Sequence, residues 1–592
     1  MPPARLPWLL ALTLLLAACQ QSEPEPLKVY RHAIDGIPAS LDPAHADDVY
    51  AATLVTNLYD TLYRYKYLAR PYELTPSLAD GFPEVSEDGL TYRIRLRDDA
   101  RFADDEAFPG GVGRPVRATD VVYSLKRHFL PDTRSRGDWL WRDRIVGLDE
   151  GTRLSDPDAP VEGLQVEDPL TVKIRLRRPY PQFTHTLAMA LSAIVAREAV
   201  EHYGRSFGVN PVGSGPFVLA RFDESRAVLE PNEHFRRGVI DLDAEGYDPA
   251  RHDRFGLARI DGLTFPLLDR LEVHFIPEPT TRWTSFTASS GVDVVMVPPE
   301  LSERVLAERD PIRLRPEIAS RYRSWHGPEA GFVFHGFNMD NPEIGHHPDP
   351  GRAARNRALR CALRDAFDWQ ARNRAFYHGL GQIFPGAIPP ILPAYDPDAD
   401  ADSISHSPRR ARARLAEAGW QTDNLPRLVY GLESSVHQRQ MFEQFRAWAQ
   451  AIGFPASRLE ARAYASFGEY ARALGTRQVD LFLLGWTLAY PDAQYSLQLF
   501  YGPNAAPGAN SFNYANPTFD QLFEQASSLP AGPRRTRLYR QLNRIVIEDC
   551  VIIGSLARTR LFLWKPHVLM LPDRDMVGGH FLRFVDIADQ GG

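Results

Sequence analysis

The chain has 592 residues, of which 44% are hydrophobic and 24% are charged. This is the composition of a globular protein with enough apolar material for two or more large lobes, and it excludes disordered and fibrous classes. The formal net charge of −7 and the pI near 6.2 argue against a nucleic-acid-binding surface, and the arginines are scattered among acids rather than arranged in stripes.

The N-terminus has the pattern of an export signal. An apolar run at residues 8–18 is too short to span a bilayer, and it ends in the letters LAAC at residues 16–19, the pattern of a bacterial lipobox. We therefore predict that residues 1–18 are a signal peptide, that Cys19 becomes the lipid-modified mature N-terminus, and that the polar residues 19–26 form a tether. The alternative is an ordinary signal peptide, cleaved after an A-x-A-like site, that leaves a protein without an anchor.

The first third of the folded part mixes strands and helices. Residues 91–97 and 171–177 alternate apolar with mostly basic side chains, which predicts two half-buried strands. Residues 120–129 and 183–200 have helical periodicity. Residues 271–297 read as a strand, an amphipathic helix and a second strand, which predicts a strand-helix-strand unit.

The second half continues the α/β pattern. Ser407 and Pro408 begin a helix that Gly419 ends, because a serine N-cap, a first-turn proline and a C-terminal glycine are the usual boundary signals. Further helices are predicted around residues 441–452 and 538–546, and residues 479–486 read as a buried strand. Cys361 and Cys550 are predicted to be buried thiols, with a disulfide as the alternative that an oxidising compartment permits.

Motifs for catalysis are absent: the chain has no G-x-S-x-G, H-E-x-x-H, Walker loop or G-x-G-x-x-G after a strand. Ser214 lies in a G-S-G-P turn that lacks the spacing of a nucleophile. His346 and His347 are adjacent to each other, which favours a solvated loop over a metal site, and His335 stands apart. We predict a protein that is not an enzyme and has neither cofactor nor metal.

A series of short blocks gives the most specific signal, and the blocks occur in one order along the chain. They are LDP at 41–43, NLYDTL at 57–62, PSLA at 76–79, SEDGLTY at 86–92, RF at 101–102, ATDVVYS at 118–124, VGSGPF at 212–217, GFN at 336–338, RALR at 357–360, EAGW at 417–420 and GWTLAYPD at 485–492. In this order they resemble the family 5 extracellular solute-binding proteins, the peptide, dipeptide and nickel class of ABC importers.

The resemblance implies an α/β, two-lobe, periplasmic-binding-protein-like fold of class II, the large peptide-binding type, with an extra subdomain in the first lobe. Residues 27–315 would form the first lobe, including the subdomain at about 72–204. Residues 316–549 would form the second lobe, and residues 550–592 would return to the first. The stretch 239–265 is longer than is usual for the family.

The resemblance also implies where a ligand would bind. The segment after Leu-Asp-Pro and the end of the strand before Tyr-Pro-Asp supply the family's ligand contacts. The residues predicted to bind ligand are Asp47, Val49, Gly485, Trp486, Thr487, Ala489, Tyr490 and Asp492.

One of these positions departs from the family pattern. Peptide-binding members hold the ammonium of the peptide with an aspartate where this chain has Ala489. The ligand is then either not an N-terminally free peptide, or Asp492 or Asp47 replaces that aspartate. Asp492 stands in a Tyr-Pro-Asp turn, where a side chain that caps backbone amides is the simpler interpretation.

The predicted function is therefore an extracytoplasmic solute-binding protein. It would deliver a peptide or peptide-like solute to an ABC permease and ATPase complex, from the periplasm or the cell surface. We expect a monomer that is attached to the membrane by its N-terminal lipid and binds no nucleic acid. The alternatives are a lipid-anchored sensor or receptor with the same fold and an exported hydrolase.

Overall fold

The computed structural model describes residues 27–149, 151–236, 238–572 and 579–588. The predicted signal peptide, Cys19 and the tether up to residue 26 lie outside these residues. Among the described residues, no helix has the length and apolar character that a membrane span requires.

The first lobe contains two four-stranded sheets. In the first sheet the parallel pair Val29–Ile34 and Arg270–Phe275 continues with two antiparallel neighbours, Arg226–Pro231 and Phe217–Phe222. The second sheet contains both strands predicted from alternating side chains, and its order is Glu84–Val85, Thr91–Arg95, Thr171–Arg175 and Leu164–Asp168. Tyr92 and Ile94 are buried while their neighbours Arg93 and Arg95 are exposed, so the alternation predicted these two strands correctly.

The largest sheet among the described residues has eight strands, which come from both of the predicted lobes. Along its main path the strands are Val294–Met296, Ile552–Trp564, Gly331–Phe337, Leu481–Thr487, Leu428–Glu433 and Leu459–Tyr464. Two further strands, Arg323–Pro328 and Gly381–Phe384, pair with Ile552–Trp564.

The strand Ile552–Trp564 connects the two lobes. Its first half pairs with Gly331–Phe337 inside the large sheet, and its second half pairs with Arg323–Pro328 and Val294–Met296. Asp293 donates its backbone amide to Arg31 of the first lobe, so this second half lies beside the first sheet. The chain thus passes between the lobes through two antiparallel strands that are hydrogen-bonded to each other.

Helices cover the faces of these sheets. Those of at least seven residues are Val49–Leu58, Ala118–Arg127, Arg197–Tyr203, Pro279–Thr287, Pro350–Ala366, Trp369–Phe376, Pro408–Glu417, Val436–Ala451, Phe467–Gly475, Pro517–Ser527 and Pro533–Glu548. Ser407 caps Pro408–Glu417 as predicted, since its side chain accepts a hydrogen bond from the amide of Arg410. Gly419 follows with a φ of +71°, a conformation that favours glycine.

One prediction of secondary structure was wrong. Residues 183–200 do not form one helix but the short pieces Phe183–Thr186, Ala190–Ser192 and the start of Arg197–Tyr203. Residues 187–196 are buried on all sides, and backbone amides here bind other segments: Ile194 donates to the carbonyl of Asp60 and Val195 to the hydroxyl of Ser124. Tertiary hydrogen bonds therefore replace those of a helix.

The strand-helix-strand unit predicted at 271–297 is confirmed in its elements, and its two strands lie in different sheets. Arg270–Phe275 lies in the first sheet, whereas Val294–Met296 pairs with Ile552–Trp564 in the large sheet. The helix Pro279–Thr287 between them packs Phe286 into a small apolar cluster below the crossing strands. This segment therefore links two sheets rather than adding a neighbour to one.

The cysteine prediction was also wrong. Cys361 and Cys550 form a disulfide, with their Cα atoms 5.3 Å apart and 189 residues apart in sequence. Cys361 lies on the inner face of Pro350–Ala366, and Cys550 follows the end of Pro533–Glu548. Two cysteines give no spacing pattern from which pairing can be read, so only the fold brings them together.

Candidate ligand-binding cleft

The end of the strand Leu481–Thr487 forms the centre of the candidate site. It pairs with Gly331–Phe337, so that Thr487 lies opposite Gly331 and Gly485 opposite Val333. Gly485 and Thr487 are exposed and Trp486 is half-buried, whereas Leu488, Ala489 and Tyr490 are buried. The strand therefore presents three residues to solvent before the chain turns inward.

An aromatic group lies next to this strand end. The Trp486 ring stacks on Tyr495 with ring centroids 5.3 Å apart, and its Nε1 donates to the Tyr495 carbonyl at 3.1 Å. Trp139, from the first lobe, lies 6.3 Å from the Tyr495 ring. The three rings give an apolar wall that joins both lobes and can pack against a ligand.

Tyr490 and Ala489 are predicted site residues that are held in buried positions. The Tyr490 hydroxyl bonds the hydroxyl of Tyr180 at 2.8 Å and donates to Gln494 at 2.5 Å. Burial raises the pKa of Tyr490 well above its ordinary value, and nearby Tyr180 adds to that effect. Ala489 is 8% exposed and carries no polar group.

Asp492 has protein partners on both carboxylate oxygens. Oδ1 accepts from the amide of Gln494 and so caps Ala493–Leu497, and Oδ2 lies 2.6 Å from the Arg535 guanidinium. The capping role that the turn predicted is therefore confirmed. The ion pair with Arg535 was not predictable from the turn.

Asp47 and Val49 lie at the start of the helix Val49–Leu58. Asp47 is exposed and approaches Arg136 at 3.4 Å, and Val49 is 45% exposed. Arg136 stands three residues before Trp139 of the aromatic wall. The two predicted regions are therefore linked through the segment 136–139.

Sequence reasoning missed a charged group on the crossing strand. The Glu329 carboxylate accepts from Nε of Arg558 at 2.5 Å and from Nη2 of Arg560 at 2.6 Å. Burial opposes the charge of Arg558, but Glu329 outweighs it and raises the pKa of Arg558; for Arg560 burial is the larger effect and lowers its pKa. A signal was present in the sequence, because Arg558 and Arg560 alternate with neutral residues inside an otherwise apolar strand.

The side chains considered for catalysis or metal binding have structural contacts. Ser214 is buried and lies 3.5 Å from Asp60, in a loop where a Cβ on Gly213 would lie 2.1 Å from the Leu58 carbonyl oxygen. His335 is in the core beside Tyr430, and His346 accepts from the amide of Ala515. Among the described residues, no group of three or more potential ligands could hold a metal ion.

The structure has two lobes that are joined by paired crossing strands. An exposed strand end and an aromatic wall lie where the lobes meet. This is the architecture of a solute-binding protein. The chain belongs to the bacterial extracellular solute-binding proteins, family 5 Middle, whose family model matches residues 73–508.

Individual relatives agree with this membership. The chain is 24% identical over 520 residues to the glutathione-binding protein GsiB of Salmonella paratyphi A, which covers 86% of this chain and 85% of that protein. HbpA2 from Haemophilus parasuis has a similar fold, with a TM-score of 0.73, 20% identity and coverage of 94% and 99%. The periplasmic binding protein DppA from Helicobacter pylori, solved with the peptide STSA, has a TM-score of 0.69, 18% identity and coverage of 94% and 98%.

Proposed function

We propose that this protein binds a peptide or peptide-like solute between its lobes and delivers it to an ABC permease and ATPase complex. The family match over residues 73–508 carries the proposal. The exposed strand end Gly485–Thr487 and the aromatic wall support it, since free strand edges and aromatic surfaces are common means of holding extended peptides. This is a binding role without catalysis.

The proposed site contains Asp47, Val49, Gly485, Trp486 and Thr487 as ligand-contacting residues. Ala489, Tyr490 and Asp492 contribute by shape rather than by free polar groups, because their contacts are made within the protein. The proposed lobes are residues 27–315 and 316–549, with residues 550–592 returning to the first. The pairing of Arg323–Pro328 with the end of Ile552–Trp564 supports two crossings near these limits.

We also propose a location outside the cytoplasm, on a lipid attached to Cys19, for a monomeric protein. The family is extracellular, the lipobox supports the anchor, and a disulfide between Cys361 and Cys550 suits an oxidising compartment.

The test is affinity selection from mixed-sequence di-, tri- and tetrapeptides and glutathione, combined with mass spectrometry of solutes that co-purify with the protein. We expect peptides or peptide-like solutes to be retained and to raise the melting temperature. Retention of none of them, together with a co-purified solute of another class, would overturn the proposal.

A further inference from the structure

The charged group on the crossing strand adjoins the proposed site. The charged group and the proposed site are connected by the consecutive residues Glu329, Ala330 and Gly331. The amide of Glu329 donates to the carbonyl of Arg558 at 2.8 Å. The amide of Leu488 donates to the carbonyl of Ala330 at 2.9 Å. Gly331 lies opposite Thr487. Arg558 is thus one strand away from the exposed end of Gly485–Thr487.

Both arginines have hydrogen-bonding capacity left. Each donates one N–H to Glu329, and the remaining guanidinium nitrogens have no hydrogen-bond partner within the described ranges. The side chains of Arg558 and Arg560 are 43% and 29% exposed, whereas Glu329 is 12% exposed. Glu329 therefore pairs with two guanidinium groups whose side chains are partly exposed to solvent.

Two other ionisable groups lie near Arg558 and Arg560, and neither forms a hydrogen bond with their guanidinium groups among the described residues. Tyr377 interacts electrostatically with Arg558, and Asp35, which follows the strand Val29–Ile34 of the first lobe, does so with Arg560. Asp35 makes no ion pair or hydrogen bond with Arg560 among the described residues. The pair and Glu329 alone carry one excess positive charge, at a place where both lobes meet.

We infer that Arg558 and Arg560 together bind an acidic group of the ligand, which in a peptide-like solute is a carboxylate. Guanidinium groups match carboxylates because their N–H donors form parallel, charge-assisted hydrogen bonds. Glu329 is a positioning residue that fixes both side chains. This inference rests on the proposed function and adds that the protein recognises the acidic group of the ligand.

The experiment compares matched peptides with a free or an amidated C-terminus, drawn from those that the wild type retains, by calorimetric titration. We expect the free acid to bind at least about tenfold more tightly, which corresponds to about 1.4 kcal/mol. Arg558→Gln and Arg560→Gln should each reduce that preference, and the double substitution should abolish it while the amide binds as before.

Two further variants separate binding from folding. Arg558→Gln combined with Glu329→Gln removes both members of the Arg558–Glu329 ion pair, so no buried carboxylate is left unpaired. This variant should show the same reduced preference as Arg558→Gln alone. Arg175→Gln is the matched control: Arg175 pairs with Glu162 at 3.0 Å in the subdomain sheet, away from the site, and the preference should persist.

The outcomes distinguish the two proposals. If no peptide binds and a solute of another class co-purifies with the protein, the proposed function fails. If peptides bind equally well with acid and amide ends, the function stands and the arginine inference is wrong. Equal weakening of both forms in the arginine variants would also overturn it, because the arginines would then support closure against Asp35 rather than contact the ligand.

Discussion

The carboxylate of Asp492 lies 2.6 Å from the guanidinium of Arg535, and both side chains are nearly inaccessible. The same carboxylate caps the helix Ala493–Leu497. Arg535 belongs to the helix Pro533–Glu548, so this ion pair connects that helix to the segment that follows the strand Leu481–Thr487. A carboxylate engaged in this way is not available to a ligand ammonium.

We therefore expect Asp492→Asn to destabilise the fold without changing ligand selection. Breaking a buried ion pair leaves an uncompensated charge and costs about 3–5 kcal/mol of unfolding free energy. Denaturant unfolding measures this loss. Titration with free and N-acetylated peptides should give the same ratio of affinities as in the wild type.

The control for this prediction is Ala489→Asp, which introduces an acid at the position where the family resemblance implies one. It should increase the preference for a free N-terminus. A strong wild-type preference for the free terminus that is lost in Asp492→Asn would contradict our interpretation of the ion pair. If the preference survives both Asp492→Asn and Asp47→Asn, the inferred correspondence between Ala489 and the family's aspartate is wrong.

Local patterns predicted local structure well. The strands Thr91–Arg95 and Thr171–Arg175 follow from alternation, because one face of each is buried and the other exposed. The same reasoning failed for residues 183–200, because a segment that is buried on all sides has no polar face from which a helical or strand period can be recognised. There, hydrogen bonds to distant segments decided the backbone conformation.

The candidate site was predictable where it lies in one stretch of chain. Gly485, Trp486 and Thr487 are consecutive and stand in a recognisable block. Glu329 and Arg558 are 229 residues apart, and only the pairing of the crossing strand brings them together. The alternation of arginines at 558 and 560 marked a strand with one charged face but did not indicate its partner.

The disulfide should contribute substantially to stability. Closing a loop of 189 residues restricts the unfolded chain, and loss of a native disulfide typically costs about 2–5 kcal/mol. We expect a reductant to lower the melting temperature of the wild type and to leave that of Cys361→Ser/Cys550→Ser unchanged. Two titratable thiols in the non-reduced, denatured wild type would contradict the pairing.

Stability should decrease in mild acid because of His128. This side chain is buried against Leu191 and Trp141. Burial and, to a smaller extent, repulsion from Arg127 lower its pKa to about 3, although attraction from Asp42 and Asp138 opposes this shift. Above pH 6.5 both states are neutral and the full stability is present. Between pH 6.5 and 3 the unfolded state binds the extra proton, so unfolding free energy falls by about 1.4 kcal/mol per pH unit.

The measurement is the difference between wild type and His128→Gln in denaturant unfolding at pH 7 and pH 4.5. Carboxylates contribute equally to both proteins, so the difference isolates the histidine. We expect the variant to lose less stability in acid. His406→Gln, at an exposed position, is the control and should follow the wild type; an identical slope for all three proteins would refute the prediction.

Acylation of Cys19 is a separate prediction, on residues outside those the structure describes. The LAAC pattern and the polar spacer indicate a lipid-modified N-terminus, and each buried CH₂ of an acyl chain contributes about 0.8 kcal/mol to membrane binding. The wild type should enter the detergent phase on phase separation, and Cys19→Ser should remain in water. Unchanged partitioning would exclude the anchor.

The last prediction is that ligand closes the lobes. Tyr180 and Tyr490 share a buried hydrogen bond of 2.8 Å between the lobes, and the side-chain amide group of Gln182 lies 3.2 Å from the hydroxyl of Tyr539. A ligand that binds only this arrangement stabilises it by about 2.7 kcal/mol at a hundredfold excess over Kd. Small-angle scattering should therefore show a smaller radius of gyration with ligand.

The contribution of the interlobe contact can be separated from that of ordinary buried hydrogen bonds. Tyr180→Phe removes a hydrogen bond between the lobes. If ligand closes the lobes, affinity should fall by about fivefold, the equivalent of a typical hydrogen bond of about 1 kcal/mol. Tyr470→Phe is the matched control, because the Tyr470 hydroxyl donates to Leu483 within the second lobe and its loss should lower stability but not affinity. If saturating ligand leaves the radius of gyration unchanged, or if both variants weaken binding equally, closure does not accompany binding and the lobes are fixed in the arrangement described.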